Sequence, residues 1–194
     1  MIKESVDLMV ASAGKKWQLL KTNPLGYWLS SMLAGIFVGF GITLIFAIGA
    51  PLAGDNSPLL KLVMGASFGV ALTLVIFAGS ELFTGNAMIM TFGVLSRQSR
   101  PGHLILIWLV SWLGNLVGAL LLAWLVAQSG AVQAAQPFFA KVAVTKMNLP
   151  IVDLILRGVL CNILVCLAVW MSNRTSSDGA KLALIWWCLF AFIG

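Results

Sequence analysis

Residues 65–95 decide how this chain folds. They read GASFGVALTLVIFA over residues 65–78, GSELFTGN over residues 79–86 and AMIMTFGVL over residues 87–95. This apolar stretch is too long for one straight membrane span, and the carboxylate of Glu81 lies between Gly79 and Gly85 near its middle. Non-helical backbone at membrane depth is tolerated only where protein covers it or a cavity borders it. We therefore predict a membrane helix that is broken at residues 80–86.

The composition agrees with a membrane protein. The chain has 194 residues, of which 60% are hydrophobic and 9% are charged, whereas about 25% of residues are charged in a typical soluble domain. This excludes a disordered tail and an ordinary cytosolic enzyme. Because a membrane helix needs about 20 apolar residues, the length allows several spans and no separate soluble domain.

The apolar blocks divide the chain into one all-α transmembrane domain over residues 1–194. Polar or proline-containing segments separate the blocks, and a mixed loop is predicted from Gln128 to Pro150. Pro51 is predicted to end the first span. The predicted elements are an amphipathic cytoplasmic helix at residues 1–22 and spans at residues 25–50, 62–95 (broken at 80–86), 103–127, 151–171 and 180–194 (incomplete).

The charged residues indicate the orientation of the spans and argue against nucleic acid as a partner. The net charge is +6, but no basic run exists, and the basic excess lies between the apolar blocks. Lys and Arg are more frequent on the side that holds the N-terminus, which places the N-terminus in the cytoplasm. Cys161, Cys166 and Cys188 lie within apolar segments without ligand spacing to a histidine, so we interpret them as buried small hydrophobic residues and predict no metal or cofactor.

Two patterns concern helix packing. Apolar residues of the N-terminal helix recur at helical spacing, which fits equally a helix lying on the membrane surface and one packed beneath the bundle. Glycine pairs at residues 35 and 39, 65 and 69, and 114 and 118 each lie on one helix face. Small residues of this kind allow membrane helices to approach closely.

The broken segment supplies the first candidate site residues. An ionisable residue within a span indicates function by default, but a bare carboxylate would repel an anion. We therefore favour a structural role for Glu81, in which its oxygens accept backbone N–H groups freed by the break between Gly79 and Gly85. The hydroxyl of Thr84 can both donate and accept, so it can bind a passing polar solute or satisfy the backbone of the same loop.

The second half of the chain repeats this arrangement weakly. A span that contains Gly158 and Asn162 precedes an apolar segment that ends in Phe192-Ile193-Gly194. Paired interrupted segments at corresponding positions indicate a transporter site. We expect an inverted repeat whose second unit is incomplete in these residues.

Five motifs carry a resemblance to a known family. They are NPLG at 23–26, GASFG at 65–69, ELFTGN at 81–86, WLGNLVG at 112–118 and GVLCNILVCLA at 158–168. Together they resemble the formate/nitrite transporter family. The stretches at residues 26–49 and 186–193 are most similar to its bacterial nitrite-channel branch.

The resemblance implies an aquaporin-like helical bundle with discontinuous helices, assembled as a homopentamer in the bacterial inner membrane. Each protomer would carry its own pore for a small monovalent anion, most simply nitrite. Phe68 and Phe192 would form the periplasmic constriction, and Lys146 would draw anions towards it. The other implied pore residues are Leu72 between the constrictions, Leu82, Phe83 and Val165 at the cytoplasmic constriction, and Thr84 and Asn162 as polar contacts near the centre.

The family also has a histidine on its second broken span that is thought to exchange a proton with the substrate, and its position lies beyond Ile193. His103, the only histidine, follows Arg100-Pro101-Gly102, and we interpret it as an interfacial residue. We expect the reading frame to continue past residue 194 with a Glu-His-Ser/Ala-type stretch and a further apolar span.

Other functions remain open from the residues. The same fold would serve formate or hydrosulfide transport, or a neutral-solute channel of aquaporin type. A membrane-embedded enzyme would need clustered His, Asp or Glu within the spans, but Glu81 stands alone there. A purely structural subunit leaves the costly break unexplained.

Overall fold

The computed structural model describes residues 2–193, and these residues are almost entirely helical. The chain runs through long helices joined by short turns, with one short 3-10 turn at Gln133–Ala135. The helices are α1 (Ile2–Thr22), α2 (Pro24–Gly54), α3 (Leu60–Phe77), α4 (Phe83–Leu95), α5 (Pro101–Ser129), α6 (Gln136–Met147), α7 (Ile151–Ser172) and α8 (Asp178–Ile193).

The observed bounds correct three expectations. α2 begins at Pro24, with the Asn23 side chain accepting from the N–H of Gly26 at 2.9 Å, but it continues through Pro51 instead of ending there. The predicted loop at residues 128–150 contains α6. The helix break lies at residues 78–82 and not at 80–86, because helical geometry resumes at Phe83.

The predicted glycine pairs bring α2 close to α5 and α3 close to α8. A Cβ atom on Gly35 would overlap the backbone carbonyl of Asn115, and one on Gly118 would overlap the carbonyl of Met32. Gly65 and Gly69 of α3 lie against Phe190 and Trp186 of α8 in the same way. The small residues therefore bring backbones into contact where no hydrophobic drive between helices exists.

Helix α1 packs against the bundle. Met9 and Ala13 are buried and share an apolar cluster with Tyr27 of α2, Met90 of α4 and Ile107 of α5. The ring of Trp17 stacks on that of His103 at 3.7 Å between centroids. Of the two interpretations of the N-terminal helix, this contact favours a packed helix over one that only lies on a membrane surface.

The second half of the chain packs as the first does. α7 lies against α8 as α2 lies against α3, and α3 and α8 contact each other between them. Four of the described helices, α2, α3, α5 and α7, are long and apolar enough to cross a membrane. The break between α3 and α4 lies against α2 and α5.

Candidate transport site

The backbone between α3 and α4 turns sharply at Gly79. Its φ of 73° lies in the left-handed region, which glycine adopts without the steric cost that a Cβ brings. The N–H of Ser80 then donates back to the carbonyl of Val75 at 3.0 Å, and the N–H of Glu81 donates to the carbonyl of Ser30 on α2 at 3.2 Å. The first bond closes the turn onto the end of α3, and the second holds the interrupted segment against α2.

A single side chain from α5 satisfies two further backbone groups at the break and one on α2. Asn115 Oδ1 accepts from the N–H of Phe83 at 2.9 Å. Its Nδ2 donates to the carbonyl of Glu81 at 3.0 Å and to the carbonyl of Ser31 on α2 at 2.8 Å. Because unsatisfied backbone groups are costly in lipid, Asn115 makes the broken helix possible.

Glu81 has a different partner from the one predicted. Its Oε2 pairs with Lys16 Nζ of α1 at 2.5 Å. The expected partners were freed backbone N–H groups, but those of Ser80 and Glu81 donate to backbone carbonyls and that of Phe83 donates to Asn115 Oδ1. The carboxylate links the N-terminal helix to the break.

The residues predicted as the end of the loop form the first turn of α4. Thr84 and Gly85 are helical, and a Cβ on Gly85 would meet Val169 of α7 at an ordinary 3.8 Å. Asn86 is buried and donates to the hydroxyl of Tyr27 at 2.9 Å. The start of α4 is thus fixed between α2 and α7.

The structure brings together the two phenylalanines of the implied periplasmic constriction. The rings of Phe68 and Phe192 stack with their centroids 5.5 Å apart and their planes at 20°. Leu72 is only 2% exposed and lies in the same apolar cluster as Val165 of α7, and Leu82 packs against that cluster. Five of the eight implied pore residues therefore lie in one continuous apolar region.

Phe83 lies apart from this cluster. Its ring meets Trp108 of α5 edge-on at 6.2 Å, and with Leu82 and Thr84 it borders a groove of about 820 Å³. The other walls of the groove come from α2, α5 and α6 and are mostly small or apolar. Leu82 joins the two regions, because it borders the groove and packs against the cluster.

Two polar atoms in this region are buried without a hydrogen-bond partner. They are Thr84 Oγ1 and Asn162 Oδ1, which share this property with Trp108 Nε1 among the residues described. A buried polar atom without a partner costs free energy. Unpaired polar atoms beside an apolar path fit a site that a small polar solute occupies.

Lys146 lies in the last turn of α6 and is exposed.

Across residues 2–193, no group of three or more His, Cys, Asp or Glu side chains is arranged to hold a metal ion.

Two residues that organise the site were not predicted from the sequence. Asn115 was noted only as part of a motif, although an amide in mid-span on the glycine face of α5 could have indicated its role. Lys16 was not singled out in the sequence. No local pattern distinguishes it, because its partner Glu81 lies 65 residues away.

A broken membrane helix beside an apolar path that carries a few polar groups is typical of channels and transporters for small solutes. The sequence profile described as formate/nitrite transporter matches residues 3–194. The chain is 46% identical over 195 residues to the nitrite transporter NirC of Escherichia coli strain K12, covering all of this chain and 71% of that protein. It is 39% identical to a probable formate transporter of Methanothermobacter thermautotrophicus, covering 91% of this chain and 72% of that protein.

Solved structures agree with the sequence comparison. A chain described as an FNT family ion channel superimposes with a TM-score of 0.91 at 44% identity, covering 98% of this chain and 76% of that one. A pentameric formate channel with formate bound superimposes with a TM-score of 0.75 at 25% identity, covering 87% of this chain and 67% of that one. The chain belongs to the formate/nitrite transporter family and is a multi-pass membrane protein, which confirms the predicted family and the all-α membrane fold.

Proposed function

We propose that this protein conducts small monovalent anions, and nitrite in particular, through a pore in each protomer. The observation that carries the proposal is the start of α4, where Thr84 presents a buried hydroxyl without a partner beside the apolar cluster. The N-terminus of a half-helix in a membrane favours negative charge. The site therefore combines an anion-favouring helix end with a hydroxyl that can donate to the anion.

The apolar residues would make the path selective. Stacked Phe68 and Phe192 would exclude hydrated ions on one side, and Leu82 with Val165 would do so on the other. Leu72 would line the pore between them, and Asn162 would give a second polar contact near Thr84. Phe83 would complete the cytoplasmic constriction from its position against Trp108.

The preference for nitrite rests on similarity to proteins described as nitrite transporters, of which NirC of Escherichia coli is one. Formate or hydrosulfide transport is the alternative on the same fold, since a pentameric formate channel shares it. Lys146 would raise the local concentration of any such anion at the outer mouth.

The assembly and orientation are part of the same proposal. The structural similarity to a pentameric formate channel supports a homopentamer. We place the protein in the bacterial inner membrane with α1 in the cytoplasm, and we take α2, α3–α4, α5, α7 and α8 as the membrane elements of one domain.

The test is nitrite uptake by vesicles that contain the purified gene product. We expect uptake well above that of empty vesicles, and we expect Thr84→Val to lower it about tenfold, the effect of losing roughly 1.4 kcal/mol of stabilisation. Thr91→Val is the matched control, because the Thr91 hydroxyl is exposed and donates to the carbonyl of Ala87 in its own helix. Nitrite uptake no greater than in empty vesicles would contradict the proposal.

Two further measurements separate the alternatives. Competition by formate and hydrosulfide ranks the anions against nitrite. A neutral-solute channel would carry no current across a planar bilayer, so a nitrite-dependent current excludes it.

A further inference from the structure

We propose that Cys161 and Cys166 of α7 line the anion path and form a thiol segment between Lys146 and Thr84. The inference deepens the proposed function and rests on it. It changes the interpretation of these cysteines from buried small hydrophobic residues to groups that the permeating anion passes.

Cys166 lies directly beside the candidate site. Its Sγ donates to the backbone carbonyl of Thr84 at 3.6 Å, across the contact between α7 and α4. Thr84 also carries the buried hydroxyl without a partner. Val165, the residue before Cys166, lies in the apolar cluster. The thiol therefore contacts the backbone of the candidate polar residue and lies one position along α7 from the apolar cluster.

Cys161 extends this segment towards Lys146. It precedes Asn162, whose amide oxygen is the second buried acceptor without a partner, in the half of α7 that follows α6 and Lys146. Cys166 lies five residues, or about 7.5 Å along the helix axis, further from that end. Along α7 the order from the end next to Lys146 is thus Cys161 and then Cys166, which contacts Thr84.

Helix geometry places these residues on two neighbouring faces of α7, since positions five apart, such as Cys161 and Cys166, differ by about 140° around the helix axis. Asn162 and Cys166 are four residues apart, as are Cys161 and Val165, so each pair shares a helix face. Both cysteines are half-buried, and neither is in a disulfide.

A thiol suits this position chemically. It is polarisable and offers a weak S–H donor without a fixed charge. A solute leaving Lys146 would meet weak donors at Cys161 and Cys166 before it reaches the hydroxyl of Thr84. Such groups would favour a polarisable monovalent anion, or its neutral acid, over a strongly hydrated ion.

The test uses methyl methanethiosulfonate, a small neutral thiol reagent, on vesicles that take up nitrite. The thiolate attacks the reagent sulfur, a new S–S bond forms, methanesulfinate leaves, and the cysteine gains a methylthio group. We expect nitrite uptake to fall at least fivefold. We expect excess nitrite to slow the modification of Cys166, as measured by mass spectrometry of the protein.

Variants assign the effect to each thiol. Cys166→Ser should abolish most of the inhibition, and Cys161→Ser should reduce it. Cys188→Ser is the matched control and should stay fully sensitive, because Cys188 is a buried cysteine of α8. Loss of sensitivity in Cys188→Ser alone would overturn the assignment.

The failures of the two proposals are distinguishable. Vesicles that take up no nitrite contradict the proposed function, whatever the thiols do. Vesicles that take up nitrite but leave Cys166 unmodified by the reagent contradict only the thiol segment. Vesicles in which mass spectrometry shows Cys166 modified while uptake is unchanged contradict it as well.

Discussion

Lys16 Nζ of α1 and Glu81 Oε2 of the helix break form an ion pair at 2.5 Å, and their side chains are only 17% and 12% exposed. The pair joins the first helix of the chain to the segment that interrupts the second span. Because both groups are mostly removed from water, each depends on the other to compensate its charge. α1 is therefore a fixed part of the bundle on the side where the break lies.

This relationship predicts a strong dependence of stability on both partners. Lys16→Met should lower the free energy of unfolding by about 3 kcal/mol, since it leaves a mostly buried carboxylate unpaired. The double variant with Glu81→Leu should recover most of that loss. Denaturant unfolding of the solubilised protein, followed by tryptophan fluorescence, measures both.

The pair between Lys181 and Asp178 serves as the control. Its Asp178 side chain is 72% exposed, so Lys181→Met should change the free energy of unfolding by less than about 1 kcal/mol. Equal losses for Lys16→Met and Lys181→Met would show that the pair at the break is no more important than a surface contact.

Asn115 is the second residue on which the break depends. Asn115→Leu removes the acceptor for the N–H of Phe83 and the donor to the carbonyls of Glu81 and Ser31. Each buried polar group left without a partner costs about 1–3 kcal/mol, so the unfolding free energy should fall by at least about 2 kcal/mol. The same denaturant titration measures it, and nitrite uptake should fall with it.

Asn173→Leu is the control for this amide. Asn173 is exposed and donates only to the carbonyl of Val169 in the preceding turn. Water can replace that bond, so the variant should lie within about 0.5 kcal/mol of the parent protein. A similar loss in both variants would contradict the special role of Asn115.

Features of the site that depend on residues close together in the sequence were predictable, whereas those that depend on distant residues were not. The break was predictable because Gly79 and Glu81 are local signals within a long apolar stretch. Its exact end was not, because helical geometry resumes at Phe83, whose N–H is satisfied by Asn115, 32 residues further along the chain. The continuation of α2 past Pro51 was missed for another reason, since a proline is compatible with a helix where neighbouring groups satisfy the freed carbonyl.

The residues proposed for the pore divide in the same way. The family motifs indicated Phe68 and Phe192, and the structure stacks their rings. No motif indicated that Phe83 would face Trp108, because that contact depends on how α4 rotates against α5. Sequence patterns therefore indicated the residues proposed for the path, whereas the tertiary packing determined which of them meet.

Backbone geometry at Gly79 supports a third prediction. Gly79→Ala should lower the unfolding free energy by about 1–2 kcal/mol, because its φ of 73° places a Cβ in the left-handed region. Space is not the cause, since a Cβ there would meet nothing within 4 Å. Gly102→Ala, in the first turn of α5 with equally open surroundings, should be neutral or stabilise by up to about 1 kcal/mol. A Gly79→Ala protein as stable as the parent protein would refute the strain argument.

Lys146 provides the fourth prediction, which concerns rate and not stability. If this exposed ammonium group attracts anions, Lys146→Gln should lower the initial rate of nitrite uptake at low ionic strength by roughly two- to fivefold. The difference should shrink as salt is added, because the Debye length falls to about 3 Å at 1 M salt. Lys141→Gln is the matched control, since Lys141 is an exposed lysine of the same helix for which no pore role is proposed. Equal effects of the two substitutions, or an effect of Lys146→Gln that salt does not reduce, would show that Lys146 does not act by attracting the anion through its charge.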